Sequence, residues 1–477
     1  MLILGGGLAG IACAVGLRGA GVRIKLIEQA AALGGRARSW VDSHTGDSVD
    51  LGPHILLTEY RNMLSLLDTL GTRNRVVWQR DKLITLLERA GPTAVHLHRL
   101  PPPLHLAPGM LRARDVSLGE KLSNARAVWF AMHLEAADAY RLDQLPASEL
   151  LQQLGVAPRF IEWFWKTASL SLMNVPLERC SSGALMRFFS QFIGHNDYQF
   201  GFAGCGLDAL FLPAAERLIE GDGHEISRNT TAVRILHEGS SFAGARLTNG
   251  AQVRARFCVC ALPPAELARV LPPEWLAHAD LRDLERFEPS PYISVYLWFD
   301  RKLTQERFWA RVWSEGTLNY DFYDLSNIRP GWSRRPSVIA SNIIYCHRAA
   351  GLDDDEIVAR TVQELAEFAP DARRARVLHS RVHRIEMAIP CPCTGTETRR
   401  PSTLTAFDGL LLAGDWTRTD LPASMESAVR SGFLAAEHIL ASLGRPRKLA
   451  LLPRPTEGFA GLVRRLTHRA PRHAERH

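Results

Sequence analysis

Residues 2–36 constrain this chain more than any other stretch. Leu2-Ile3-Leu4 reads as a short strand, Gly5-Gly6-Gly7-Leu8-Ala9-Gly10 follows, a small-residue helix runs to about Arg18, and a second strand from Val22 to Ile27 ends at Glu28. Gly5 allows the tight turn out of the strand, Gly7 lets backbone approach a pyrophosphate, and Gly10 lets the helix pack on the strand. The helix start at Leu8 and Ala9 offers unpaired N–H groups and a partial positive charge to phosphates. Glu28, eighteen residues after Gly10, stands where a carboxylate accepts from ribose hydroxyls. A glycine triplet alone marks only a turn. Strand, helix, second strand and acid in this order mark a dinucleotide site.

Gly34-Gly35-Arg36 extends the motif. Two glycines let backbone close over the pyrophosphate and an arginine adds a planar charged fork, which favours FAD over NAD. At the other end, Gly409 to Thr417 reads as a buried strand ending in Gly414-Asp415, and Leu421-Pro422-Ala423-Ser424-Met425 opens a helix to about Leu443. Asp415 can accept from a ribityl hydroxyl, and the backbone around Ala423 and Met425 faces the flavin with a helix N-terminus. Gly52-Pro53 forces a turn before His54, which serves either its own loop backbone or a substrate.

These motifs resemble the glutathione-reductase-type flavoproteins, in particular their amine oxidase and phytoene desaturase branch. The resemblance implies an α/β fold: a Rossmann-like FAD-binding domain from residues 1–72, 201–265 and 386–444, and an interleaved α+β substrate domain from 73–200 and 266–385. It also implies that Gly52, Pro53 and His54 lie near the flavin, and that Val233, in a meander ending at Ala261-Leu262-Pro263-Pro264, lends backbone groups to the adenine. Leu100 to Leu111, Asn174-Val175-Pro176-Leu177-Glu178-Arg179 and Gly414 to Gly432 are similar to the hydroxysqualene dehydroxylases of this superfamily. Leu51, Pro53 and Asp420 depart from that branch, where Asn, Gln and Gly are expected. The branch implies reductive dehydroxylation of hydroxysqualene by hydride from reduced flavin, an external electron donor, and a catalytic acid, with His54 the first candidate and Glu178 and Asp420 weaker ones. Alternatives are a phytoene-type desaturase, a flavin amine oxidase with Trp416 as its one aromatic signal, and a non-catalytic binder like the GDP-dissociation inhibitors.

Between the cofactor motifs, helical periodicity spans Ser117 to about Tyr140 and again Pro158 to Leu172. Aromatic residues from Phe160 to Phe202 read mostly as core and together suit walls around a long apolar ligand. At 477 residues the chain needs more than one core. Nine of the 57 Lys+Arg and two of the 50 Asp+Glu lie at or after Arg445, so the net charge of +7 belongs to the tail. Residues 445–477 are thus either a disordered solubilising end or a weak anchor to anionic lipid, the second being favoured for an apolar substrate. No motif or basic face points to nucleic acid. Eight cysteines at scattered positions lack zinc spacing, so no metal is expected. Cys258 and Cys260 read as small buried residues on one strand face. For Cys391-Pro392-Cys393 a redox pair is weighed against plain loop cysteines, and the lack of a partner motif favours the second. A strand beginning at residue 2 and the lack of an eighteen-residue apolar run point to a cytoplasmic protein, possibly peripheral on the inner face of the membrane.

Overall fold

A computed structural model describes residues 1–135 and 137–467. Its first layer is a parallel five-stranded sheet in the spatial order Glu225–Ser227, Lys25–Ile27, Leu2–Leu4, Cys258–Cys260 and Leu410–Leu412. Ile3 stands beside Leu26 and Val259, and Val259 beside Leu411, so strands far apart in sequence share one register. These short strands are almost wholly apolar because both faces are covered, one by helices and the other by the three-stranded meander Ala232–Glu238, Ser241–Leu247 and Gln252–Arg254. The first helix, Leu8–Gly16, packs on the closing helix, Met425–Ser442, at Gly432, where a Cβ would sit 2.2 Å from the Ala9 carbonyl oxygen.

The second layer is a mixed seven-stranded sheet. Its order is Val377–Pro390, Pro289–Phe299, Val338–Ile344, Asp321–Asp324, Phe308–Arg311, Ile84–Glu88 and Gly91–Val95. Trp309 pairs in parallel with Thr85, which joins both inserted stretches of chain into one sheet. Two strands run across the boundaries drawn from sequence: Val377–Pro390 continues past 385, and Phe200–Ala203 pairs with Leu56–Leu57 and Val76–Trp78. Continuous strands thus carry each domain into the other.

A helical layer covers one end of this sheet. The periodicity at 117–140 resolves into Leu118–Ser123, Ala125–His133 and Asp138–Arg141 rather than one helix. Asn124 at the first break accepts the Trp165 indole N–H at 2.9 Å, and Leu134 leaves helical geometry. Phe160, Trp165 and Phe189 are buried around Phe164, the core role of large aromatics.

The tail is part of the fold as far as residue 467. Arg445 donates to the Ala20 carbonyl at 2.7 Å, the Leu449 and Ala450 N–H groups donate to Glu437, and Leu451 N–H donates to Asn62. Arg454 bonds Glu59 and Asp197. The terminal helix, Gly458–Thr467, buries Ala460 and Val463, and its Arg464 donates to the Met132 carbonyl. This overturns the disordered reading for 445–467. Arg454 pairs with two acids, while Arg445, Arg447, Lys448 and Arg465 stay exposed, so the stretch keeps a basic surface. Residues 468–477 lie outside the described residues.

Candidate functional site

The cofactor motifs meet at the carboxyl edge of the parallel sheet, where ligands bind in open α/β folds. Gly5 has φ +103°, and a Cβ there would stand 2.7 Å from the Ala261 carbonyl oxygen. At Gly10 a Cβ would come within 2.1 Å of the Gly5 oxygen. Gly7 is different: nothing lies within 4 Å of where its Cβ would point. That open space, bordered by the first turn of a helix, is the cradle a pyrophosphate requires. The Leu8 and Ala9 side chains are buried, so they offer the site backbone only. Gly34 and Gly35 lie over this loop: Gly34 N–H donates to Gly6 O at 2.8 Å, and a Cβ on Gly35 would approach Gly7 Cα at 3.3 Å. Glu28 braces the same turn, accepting from Gly6 and Ala30 N–H groups at 2.8 Å each. A carboxylate retains further lone pairs for ribose hydroxyls.

Arg36 and Asp415, 379 residues apart, form an ion pair at 2.6 Å, and Arg36 also donates to the Ala388 carbonyl at 3.0 Å. Asp415 is buried, while the guanidinium is partly open and keeps donors for a phosphate. Gly414, at φ +145°, has no room for a Cβ because the Trp416 indole stands 2.4 Å away. The closing helix starts at Met425, with Ser424 as its cap on Ser427 N–H. Ala423 lies in the bend before it. Val233 is exposed at the bulge between Ala232 and Arg234, outside the ladder register. Arg400, which the sequence reading missed, is buried and donates to the carbonyls of Asp415, Thr417 and Leu421. It holds the loop between Asp415 and the closing helix in one shape.

Gly52-Pro53-His54 forms the seam between the cradle and the seven-stranded sheet. A Cβ on Gly52 would meet Ser294 Oγ at 2.7 Å. Ser294 donates to Asn342 Oδ1 at 2.7 Å, and Asn342 Nδ2 reaches both the Pro53 carbonyl and Asp321 Oδ2 at 3.4 Å. Asp321 also accepts from Asn342 N–H and the Tyr323 hydroxyl, both at 3.0 Å. Burial pushes its carboxyl up to about 6. The signal for this cluster was present in Asp321 and Tyr323, which alternate onto one face of a buried strand.

His54 Nδ1 lies 2.6 Å from the Gly52 carbonyl. A carbonyl only accepts, so Nδ1 carries the proton and the neutral ring presents a bare Nε2. Burial lowers the His54 pKa, and the neighbouring Arg36 charge acts in the same direction. With Nε2 bare, His54 in this state can take up a proton. The weaker candidates are surface groups: Glu178 is half-exposed and pairs with Lys166 at 3.1 Å. Asp420 is exposed and accepts from the Tyr140 hydroxyl at 2.7 Å. Asp420 has φ +59°, which explains why a glycine suits that position. Trp416 is buried, stacked edge-on with Phe287, and donates to the Leu262 carbonyl at 3.0 Å, so its ring is not free to clamp an amine.

Comparison with known proteins agrees with this geometry. The model of flavin containing amine oxidoreductases matches residues 8–440. The 15-cis-phytoene desaturase of Solanum lycopersicum is 26% identical over 453 residues, covering 92% of this chain and 77% of its own length. That of Synechococcus elongatus is 25% identical over 468 residues, covering 93% and 98%. Among solved structures, a putrescine oxidase bound to putrescine superposes with TM-score 0.70 at 16% identity, over 92% of this chain and 98% of that one. The cyclohexylamine oxidase of Brevibacterium oxydans gives 0.68 at 17%, over 93% and 99%. At such identities the structures speak for the shared fold alone. FAD is the cofactor, and the enzyme is an oxidoreductase. A fingerprint at Gly5, Gly7 and Gly10, joined through Arg36 to Asp415 and matched over nearly the whole chain, makes this protein a member of the flavin-containing amine oxidoreductase family.

Proposed function

We propose that this flavoprotein exchanges hydride with a long apolar isoprenoid, in the desaturase direction. The observation that carries the reading is His54, an acceptor Nε2 on a segment within electrostatic reach of Arg36. Bound FAD supplies the two-electron acceptor. Nε2 takes the proton from the carbon next to the one losing hydride, and the Gly52 carbonyl fixes the ring's tautomer and orientation. Pro53, held by Asn342, keeps that ring at the seam. The curated relatives, phytoene and zeta-carotene desaturases by name, support this direction. The buried Trp416 speaks against an amine as substrate.

A second direction, reductive dehydroxylation of hydroxysqualene, is favoured by one observation. Asp321, whose carboxyl is pushed up to about 6, lies one side chain away from Pro53 and would give its proton to a departing hydroxide. One experiment separates the two. Phytoene with a quinone acceptor is expected to yield a product with an extended polyene absorbance. Squalene from hydroxysqualene and reduced flavin, with phytoene untouched, overturns the first direction and establishes the second.

An apolar substrate resides in lipid, and the surface offers a place to meet it. No described helix is long and apolar enough to cross a membrane. Leu118, Leu122 and Trp129 stand exposed on two neighbouring helices, and Phe459, Leu462 and Leu466 form an outward stripe on the terminal helix packed beside them. Such a patch seats in the headgroup boundary through apolar area. Because this stripe would seat through apolar area, binding to liposomes is expected to persist in high salt and to fall on Leu462→Glu with Leu466→Glu. Binding abolished by salt alone restores an electrostatic anchor.

A further inference from the structure

Two Cys-x-Cys pairs are present, and their settings differ. Cys258 and Cys260 lie in a regular strand, fully buried, with their sulfurs 3.6 Å apart. Burial raises the Cys258 thiol. Cys391 and Cys393 flank Pro392 in a loop after the strand Val377–Pro390, and their sulfurs are 2.7 Å apart. The backbone holds this loop on both sides: Cys391 N–H donates to Glu288 O at 2.8 Å, Ser181 N–H to Pro392 O at 2.9 Å, and Thr396 N–H to Cys393 O at 3.0 Å. The hydrogen bond from Cys391 and the nearby Arg179 guanidinium lower the Cys393 thiol, while that same bond and burial raise Cys391. Cys391 and Cys393 are buried as well, but the Arg179 guanidinium beside them is half-exposed. One sulfur is thus prepared as nucleophile and the other, still protonated, is held in reach of it.

We propose that Cys391 and Cys393 are a redox-active dithiol that closes to an intramolecular disulfide on oxidation by a peroxide. The Cys393 thiolate attacks one peroxide oxygen and the O–O bond breaks, giving a sulfenic acid and hydroxide, which takes up a proton to leave as water. The Cys391 sulfur then attacks the Cys393 sulfur, the S–O bond breaks, and a second water leaves with the thiol proton. Two thiols lose two electrons and hydrogen peroxide gains them. The inference stands on this loop and not on the proposed substrate. It replaces the plain-loop reading of these cysteines. Three residues upstream, the Ala388 carbonyl accepts from Arg36, so the dithiol adjoins the cofactor cradle along the chain.

The test is a thiol count by mass on the flavin-loaded full chain. After hydrogen peroxide, denaturation in N-ethylmaleimide is expected to add six maleimides to a chain of eight cysteines. Peptide mapping is expected to find Cys391 joined to Cys393, and dithiothreitol to restore eight adducts. Cys391→Ser should stop at a sulfenic acid that dimedone traps on Cys393, whereas Cys258→Ser should still lose two adducts. Eight adducts from the wild type, under peroxide that fully oxidises free dithiothreitol, overturns the proposal. So does a link from Cys393 to Cys180, its buried backbone neighbour. The wild-type count decides the matter even where a variant fails to fold.

Discussion

The cradle and the seam beneath Gly52 are built by opposite means. The cradle is shaped by missing side chains: Gly10 and Gly432 each bring backbone where a single methyl would collide with a carbonyl oxygen. The seam is shaped by buried polar side chains, with Ser294, Asn342, Tyr323 and Asp321 satisfying one another around the Pro53 carbonyl. One region is set by steric contact and cannot titrate. The other is set by hydrogen bonds, so it tolerates isosteric exchange but responds to pH.

The largest effect is expected within the cradle, where two glycines have different reasons to be glycine. Gly10→Ala drives a methyl against the Gly5 oxygen, 2.1 Å from the ideal Cβ. It should destabilise the fold by at least about 2 kcal/mol and yield colourless protein. Gly7→Ala meets no protein atom within 4 Å. It should unfold within about 0.5 kcal/mol of wild type in denaturant, yet purify without flavin because its methyl occupies the phosphate space. Equal loss of stability in the two variants would break the distinction between packing and ligand space.

This contrast also explains how much was legible in the sequence. Glycine sterics are local, so Gly5, Gly7, Gly10, Gly34, Gly35 and Gly414 could be read from their place between strand and helix. The seam depends on pairing that no local pattern encodes: Asn342 reaches Pro53 across 289 residues. Only the strand alternation of Asp321 with Tyr323 hinted at it. Likewise, the apolar periodicity at 117–140 ran straight through Asn124, because nothing nearby announces that Trp165 takes its side chain. The tail's charge was countable, but its acceptors, such as Ala20 O and Met132 O, belong to distant segments.

At the junction of the two regions, His54→Ala should lower turnover by about 10²- to 10⁴-fold, the usual contribution of a positioned base, with the flavin spectrum retained. Burial lowers the His54 pKa. As a base it works deprotonated, so wild-type kcat/KM should fall only below the ordinary histidine range, and His54→Gln should remove that acid limb. Unchanged turnover in His54→Ala would leave the segment a structural part of the seam.

The smallest effect, and the most specific to the seam, belongs to Asp321. Its carboxyl is pushed up by burial to about 6, from an unfolded value near 3.8. Below pH 4 both states are protonated and no penalty exists. Between about 4 and 6 the unfolded chain ionises first, so the folded state binds more protons and stability falls as pH rises. Above 6 both states are ionised and the whole cost of burying the charge stands. Asp321→Asn keeps an oxygen for Asn342 N–H and an amide that can donate to the Tyr323 hydroxyl, while carrying no charge to bury. Its denaturant midpoint should therefore match wild type at pH 4 and exceed it at pH 8. An advantage of equal size at both values would mean that packing, and not ionisation, governs this position, and the seam would then follow the same steric rule as the cradle.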